Sequence, residues 1–402
     1  MKEKFARSLS LVMVLMMLVT LTACGGSNAS ERTAMAPAQV SSDTEEPVTA
    51  PAAAQDIVVE PQTGTHRIVD HNDVEVEVPY EVNRIVVCDI LPLPSVLTVF
   101  FDSAERIVGM SQPGLTAAQN GLLGELYPEI LHAKTDFING STVNTEELLK
   151  LRPDVVFYNA SSVELGEQLR NAGFAAVGIS VNKWQYNAIE TLNNWISLIS
   201  EIFPDNDKTD IVANYSKRIY DMVQERVADI PDGERERVFF LYKYSDTTLL
   251  TSGRLFFGQW WADAIGAVNV AEELTADNSV TVNMEQVYAW NPGLIFVTNF
   301  TTAVPDDLYN NTIGIYDWSA VDAVMNQRVY KMPLGMYRSY TPGADTPVTL
   351  LWLAKTAYPE LFEDIDIEAE LKNYYREVFG IELTDEQVNS ILTPTADAGK
   401  GF

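Results

Sequence analysis

The chain has 402 residues, 47% of them hydrophobic, with 56 acidic against 27 basic side chains and a formal net charge of −29. So acidic a surface argues against nucleic acid as a partner, while the length and apolar fraction suffice to bury two full cores. Cys24 and Cys88 are the only cysteines, too few for a thiolate-held metal cluster.

Lys4, Arg7 and the apolar run from Leu9 to Val19 form a secretory signal, and the run is too short to span a bilayer comfortably. It ends in Leu21-Thr22-Ala23-Cys24-Gly25. A small residue before cysteine, with leucine two places further back, resembles the bacterial lipobox. That resemblance implies that residues 1–23 are a lipoprotein signal peptide and that Cys24 is lipidated as the mature N-terminus. The protein is then anchored on the outer face of the bacterial cell membrane, an extracytoplasmic position, without being inserted in it. Losing the signal's three positive and one negative charges takes the net charge to −31. Cys88, left without a disulfide partner in an apolar strand pattern, reads as a buried small hydrophobe. Residues 24–60 are rich in Ala, Pro, Ser, Thr and Glu with no apolar period, the composition of a flexible tether.

The folded part opens with a hairpin, His66 to Val69 and Val74 to Val78, turning through His71-Asn72-Asp73; Pro79 then leads into a buried strand at Ile85-Val86-Val87. Strand-like runs alternate with helical patterns from there: Val155 to Tyr158, Leu165 to Asn171 with Gly173 as its C-terminal cap, then Ala175 to Ile179. Between Asn187 and Ile230 two helical arms carry Ile189, Leu192, Trp195, Ile196 and Ile199, then Ile211, Tyr215, Ile219, Met222 and Val223. Pro204 breaks them, and Asp205 is placed to cap the second. The scheme resumes with Val238 to Tyr242, Phe256 to Ile265, Leu294 to Thr298 and Val329 to Met332. The chain closes with an amphipathic helix from Ile367 to Phe379, ended by Gly380, and a shorter one near Asp385 to Ile391.

The two halves echo each other. Asn144-Thr145-Glu146-Glu147-Leu148-Leu149-Lys150-Leu151-Arg152-Pro153 followed by Asp154 to Phe157 aligns without a gap on Asn283-Met284-Glu285-Gln286-Val287-Tyr288-Ala289-Trp290-Asn291-Pro292 followed by Gly293 to Phe296. Each copy reads as a short helix capped by Asn, with Glu147 or Gln286 completing a capping box, then a proline stop and a buried strand. The expected organisation is an α/β fold of two like lobes, residues 61–186 and 231–402, the second including the C-terminal helices. A long kinked helix over 187–230 joins them.

Several short motifs carry a resemblance. They are Val78-Pro79-Tyr80-Glu81-Val82-Asn83-Arg84-Ile85-Val86-Val87, Ile107-Val108-Gly109, the paired Glu-to-Pro segments, Trp261-Ala262-Asp263-Ala264-Ile265-Gly266-Ala267-Val268-Asn269, and Leu351-Trp352-Leu353-Ala354-Lys355 with Tyr358-Pro359-Glu360-Leu361-Phe362. In their order from His66 to Leu392 the chain resembles the ABC-transporter substrate-binding proteins for ferric siderophores, haem and cobalamin. The resemblance implies two three-layer, Rossmann-like lobes with mainly parallel sheets, a binding protein without cofactor or catalysis, and a monomer that docks on a permease dimer with its ATPase. It further implies that Glu146 and Glu285, one per lobe, meet arginines of that permease. One departure is the hairpin turn, where the family usually has glycine and this chain has Asn72-Asp73.

No Gly-rich phosphate cradle, Gly-x-Ser-x-Gly elbow or His-Glu-x-x-His pair occurs, and His66, His71 and His132 share no metal-ligand spacing. A metal already wrapped in a chelator needs aromatic walls and a few polar groups instead. Residues of that kind at the expected strand ends are Tyr158, Trp184 and Tyr186 in the first lobe. In the second they are Tyr244, Trp260, Asn299, Tyr337, Arg338 and Tyr340, with Arg338 suited to clamp an anionic group between its tyrosines. The expected ligand is a ferric siderophore or related iron complex, with haem, cobalamin and metal oxyanions as alternatives, and a non-transporting surface sensor as an alternative role. Cys24→Ala should abolish incorporation of a palmitate analogue and release the protein from the membrane fraction; a variant that still labels would refute the anchor.

Overall fold

The computed structural model describes residues 63–402; the expected signal peptide, Cys24 and the tether lie outside them. Thr65–Val69 pairs antiparallel with Glu75–Pro79, and the inward-facing Ile68, Val76 and Val78 are buried. Asp70 Oδ1 accepts from the amides of Asn72 and Val74, and Asp73 takes the left-handed turn position with φ of 60°. Asp and Asn tolerate that conformation, so this hairpin turns without glycine.

Two four-stranded parallel sheets follow. Across the first the strands run Ile107–Gly109, Ile85–Val87, Val155–Asn159, Ala176–Ile179. Across the second they run Val268–Asn269, Arg237–Leu241, Leu294–Val297, Val329–Lys331. In both, the strand earliest in the chain lies second and the strand of the repeated motif lies third, so the echo in the sequence is an echo of topology.

Alternation along each strand sorts side chains into layers. Ile85, Val87, Val155, Phe157, Val177 and Ile179 from the first sheet share one continuous core with Val238, Phe240, Leu294 and Phe296 from the second. The opposite faces, Val86, Val156 and Tyr158 in one sheet and Phe239, Ile295 and Val297 in the other, close two separate outer cores.

Each repeated motif begins at an asparagine. Asn283 and Gln286 form the complete capping box. Asn144 accepts from the amides of Glu146 and Glu147, but Glu147 does not return the bond, because its carboxylate pairs with Lys150 at 2.6 Å. Both helices end on a left-handed residue ahead of proline, Arg152 at φ 47° and Asn291 at φ 42°.

The connection is two helices, Ala188–Ile202 and Thr209–Val227, with Pro204 opening the 3-10 turn Pro204–Asn206 between the two arms. Proline removes one ladder bond, and the chain leaves helical geometry until Lys208. The cap at the second start is displaced: Asp207 Oδ1, not Asp205, accepts from Thr209 N at 2.8 Å. Trp195 is fully buried in the shared core and donates its indole N–H to Ser180 O at 2.6 Å, fixing the first helix against the first sheet's edge. Trp195→Ala should lower the unfolding free energy by about 3–5 kcal/mol in a urea titration; a loss below about 1 kcal/mol would mean that this contact does not seat the helix.

Candidate functional site

Ligands of open parallel sheets bind at the carboxyl ends of strands where the strand order reverses. In the second sheet that crevice lies between Arg237–Leu241 and Leu294–Val297, and its strands deliver Tyr242 and the turn Thr298 to Thr301. Strand Val329–Lys331 then feeds a buried loop carrying Tyr337, Arg338, Ser339 and Tyr340. Asn299 braces this loop by donating to Met332 O at 2.8 Å and Pro333 O at 2.9 Å. Asp345 braces its other end, accepting from Met336 N at 2.9 Å and from the Tyr375 hydroxyl. Gly335 is required there, since a Cβ would lie 2.2 Å from Asp345 Oδ1. Burial pushes the Asp345 pKa up to about 6, against the pull of the Tyr375 and Met336 donors.

Arg338 is 1% exposed. Its guanidinium carbon lies 5.2 Å from the Phe300 ring centroid, 5.4 Å from Phe402 and 5.9 Å from Tyr337. The expected clamp between Tyr337 and Tyr340 is therefore replaced: Tyr340 turns into the aromatic core against Phe240, Tyr242 and Phe257. Arg338 donates from Nε to Ala398 O at 3.2 Å and from Nη2 to Lys400 O at 2.7 Å. Among the described residues its buried Nη1 has no hydrogen-bond partner of ordinary geometry, and neither have the hydroxyls of Tyr337, Ser339 and Tyr340 or Asn299 Oδ1. Burial raises the Tyr337 hydroxyl to about 12, with the Arg338 charge opposing it.

A second cation is buried nearby. Lys331 Nζ donates to the carbonyls of Thr298, Thr301 and Ala303 at 3.0, 2.6 and 2.7 Å. Burial first, and the Arg338 charge second, pull its pKa down to about 7. Among the described residues no carboxylate forms a salt bridge with either cation. Buried donors with no acceptor and charges with no counter-ion are costly, and together they suit an anion.

An open cleft of about 820 Å³ is lined by Trp184, Tyr186, Phe256 and Trp260, by the cations Lys183 and Arg254, and by Glu190, Asp263 and Asp277. Gln185 and Tyr186 both take left-handed φ, 52° and 60°, at the turn that enters the connecting helices. Two successive non-glycine residues there are strained, and strain of this kind collects at binding sites. The Tyr186 hydroxyl crosses to donate to Asp277 O at 2.8 Å. Its ring meets Phe256, which meets Tyr242, which meets Phe300, so one run of aromatic contacts leads from the open cleft to Arg338.

The structure thus gathers Tyr337, Arg338, Tyr340 and Asn299 at one centre and places Trp184, Tyr186 and Trp260 on the wall of the open cleft. Two expected ligand residues go elsewhere. Tyr158 shares the outer face of its strand with Val156, and its hydroxyl accepts from Arg170 Nη1 at 3.0 Å, well inside the outer core. Tyr244 lies past the end of strand Arg237–Leu241, in the short strand Lys243–Ser245 that pairs antiparallel with Thr248–Ser252, accepting from the Trp318 indole at 3.0 Å and donating to Ile313 O at 3.0 Å. Glu146 and Glu285 are exposed, and neither carboxylate has a hydrogen-bond or salt-bridge partner among the described residues. Cys88 is a free buried thiol whose pKa burial drives upward. Tyr242, Lys331 and Phe300 were missed, although each ends or follows a predicted strand; Phe402 carries no local signal at all.

The family model described as "Periplasmic binding protein" matches residues 116–334. The molybdate-binding protein MolA of Haemophilus influenzae is 26% identical over 330 residues, 78% of this chain and 90% of that protein. Its molybdate-bound structure superposes with a TM-score of 0.66 over 79% of this chain and 99% of its own. The uncharacterised ABC transporter substrate-binding lipoprotein YvrC of Bacillus subtilis is 24% identical over 74% of this chain and 87% of its own. A periplasmic solute binding protein of Veillonella parvula, 27% identical, superposes with a TM-score of 0.73 over 82% of this chain and 97% of its own.

Proposed function

The chain belongs to the periplasmic binding protein family, and we propose that it captures an anionic metal chelate, an iron complex first, and hands it to the permease of an ABC importer. The family is one of solute receptors and not of enzymes. The observation that carries the ligand class is Arg338, a buried guanidinium that among the described residues has an unpartnered Nη1 and no salt bridge to a carboxylate. The ring faces of Tyr242, Phe300 and Tyr337 around it, and the aromatic residues of the open cleft, suit the organic shell of a chelate. Among the described residues no group of three or more His, Cys, Asp or Glu stands ready to hold a bare metal ion.

A second reading is a metal oxyanion. It is favoured by the likeness to MolA, which binds molybdate, and by the cluster of unpartnered hydroxyls around Arg338, since hydroxyl and guanidinium donors serve a small oxyanion without any need for ring faces. Placement on the outer face of the membrane, through lipidated Cys24, belongs to the same proposal and is supported by the lipoprotein YvrC.

Isothermal titration of the full chain with ferric citrate, a ferric hydroxamate chelate, haem and molybdate should give binding to one ferric chelate; binding to molybdate alone would select the second reading. With the compound that binds, Arg338→Ala should weaken affinity about ten- to a hundredfold, the loss of one charge-assisted contact worth about 1.5–3 kcal/mol. Lysine should restore part of it, keeping the charge without the planar fork. Unchanged affinity in Arg338→Ala would refute the assigned role.

Docking is proposed at the two unpartnered glutamates, which the repeat sets at the same place on each lobe. Glu146→Ala with Glu285→Ala should leave ligand affinity within about twofold of wild type and sharply reduce uptake by cells that carry the importer. Lost ligand binding with normal permease association would assign these residues to the fold instead.

A further inference from the structure

The segment Thr395 to Phe402 occupies the centre that the anion would use. Arg338 spends two of its donor groups on this segment, at Ala398 O and Lys400 O. The Phe402 ring packs on Phe300 with centroids 4.5 Å apart and on Tyr242 at 6.3 Å, and Lys243 Nζ lies 5.2 Å from its centroid. The segment is fitted and not merely draped. A Cβ at Gly399 would come within 2.1 Å of Thr301 O, in the turn that follows strand Leu294–Val297. Gly401, with φ of 80°, seats so closely on Thr116 that a Cβ would lie 2.6 Å from its Cγ2. Thr116 belongs to helix Gln112–Gln119, which follows the first sheet's strand Ile107–Gly109, so the segment touches elements that follow strands of both sheets.

We infer that Thr395 to Phe402 is a built-in occupant of the Arg338 centre, which an incoming anion must displace. The inference rests on Arg338 being the ligand's anchor. Main-chain carbonyls present the same acceptor chemistry as a ligand's oxygens but carry no net charge, so they hold the guanidinium without matching an anion. Phe402 likewise supplies an aromatic face where a chelate's organic shell would lie. Because the competitor is tethered, its effective concentration is fixed and high whatever the ligand level. Apparent affinity is then the intrinsic affinity scaled by the fraction of molecules with the segment released.

The test compares the full chain with two variants, one ending at Pro394 and one carrying Gly399→Val. The second keeps every residue but cannot seat against Thr301, so a folding defect of the truncation does not decide the outcome. Reactivity of Arg338 towards phenylglyoxal, read by mass spectrometry, should rise at least about tenfold in both. The aromatic sulfonate 1-anilinonaphthalene-8-sulfonate should bind both variants about tenfold more tightly than the full chain, and adding Arg338→Ala should remove the gain. Arg338 as protected in both variants as in the full chain, or sulfonate binding that does not rise, would overturn the inference. Ferric citrate, ferric hydroxamate, haem and molybdate all failing to bind variants that do expose Arg338 would sustain the occupant and refute the ligand reading.

Discussion

The interior of the second lobe accommodates two cations, Lys331 and Arg338, that form no salt bridge among the described residues. Taking a guanidinium or ammonium out of water costs several kcal/mol even after the surroundings relax. For Lys331 the compensation is complete in hydrogen bonds, since three carbonyls accept from its nitrogen. For Arg338 it is partial: two carbonyls and three ring faces, with Nη1 left over. A site that compensates one cation fully and the other incompletely is built around the second. In a chain of net charge −29 the two buried cations are a local reversal of sign.

The loop that bears Arg338 is held by groups that are themselves buried. Asn299 ties its start to the turn after the third-placed strand, and Asp345 ties its end to the C-terminal helical segment through Tyr375. Tyr374, the preceding residue, donates its hydroxyl to Ala344 O. Such bracing fixes the backbone from which the guanidinium projects, and it makes the loop depend on the helices after Ile367.

Both sheets face a common core, continuous through the connecting helices and the buried helix Thr346–Ala357. Packing of that density transmits displacement instead of absorbing it. The Tyr186 hydroxyl bond to Asp277 and the seat of Gly401 on Thr116 are thinner links, one main-chain acceptor and one side-chain contact.

Much of the architecture was legible locally. Apolar runs located three of the four strands in each sheet, missing Ile107–Gly109 and Val268–Asn269, the asparagine-to-proline motif found its own copy 139 residues on, and the prolines marked where helices stop. Those features depend on a few neighbouring residues and on the fixed geometry of the backbone. Some failures are competitions between neighbouring groups, and the others lie where a partner comes from far away. Glu147 met Lys150 and left its capping box open; Asp207 took the capping bond expected of Asp205. Tyr158 and Tyr244 ended near the right strands but faced outer cores, because the direction a side chain takes depends on which face of a strand the other layer covers. Arg338 could be singled out as a lone cation among tyrosines, yet the sequence by itself could not give it Phe300 and Phe402 as neighbours. Burial without a counter-charge is a property of the assembled layers, and only the tertiary structure brings residues 300, 338 and 402 to one centre.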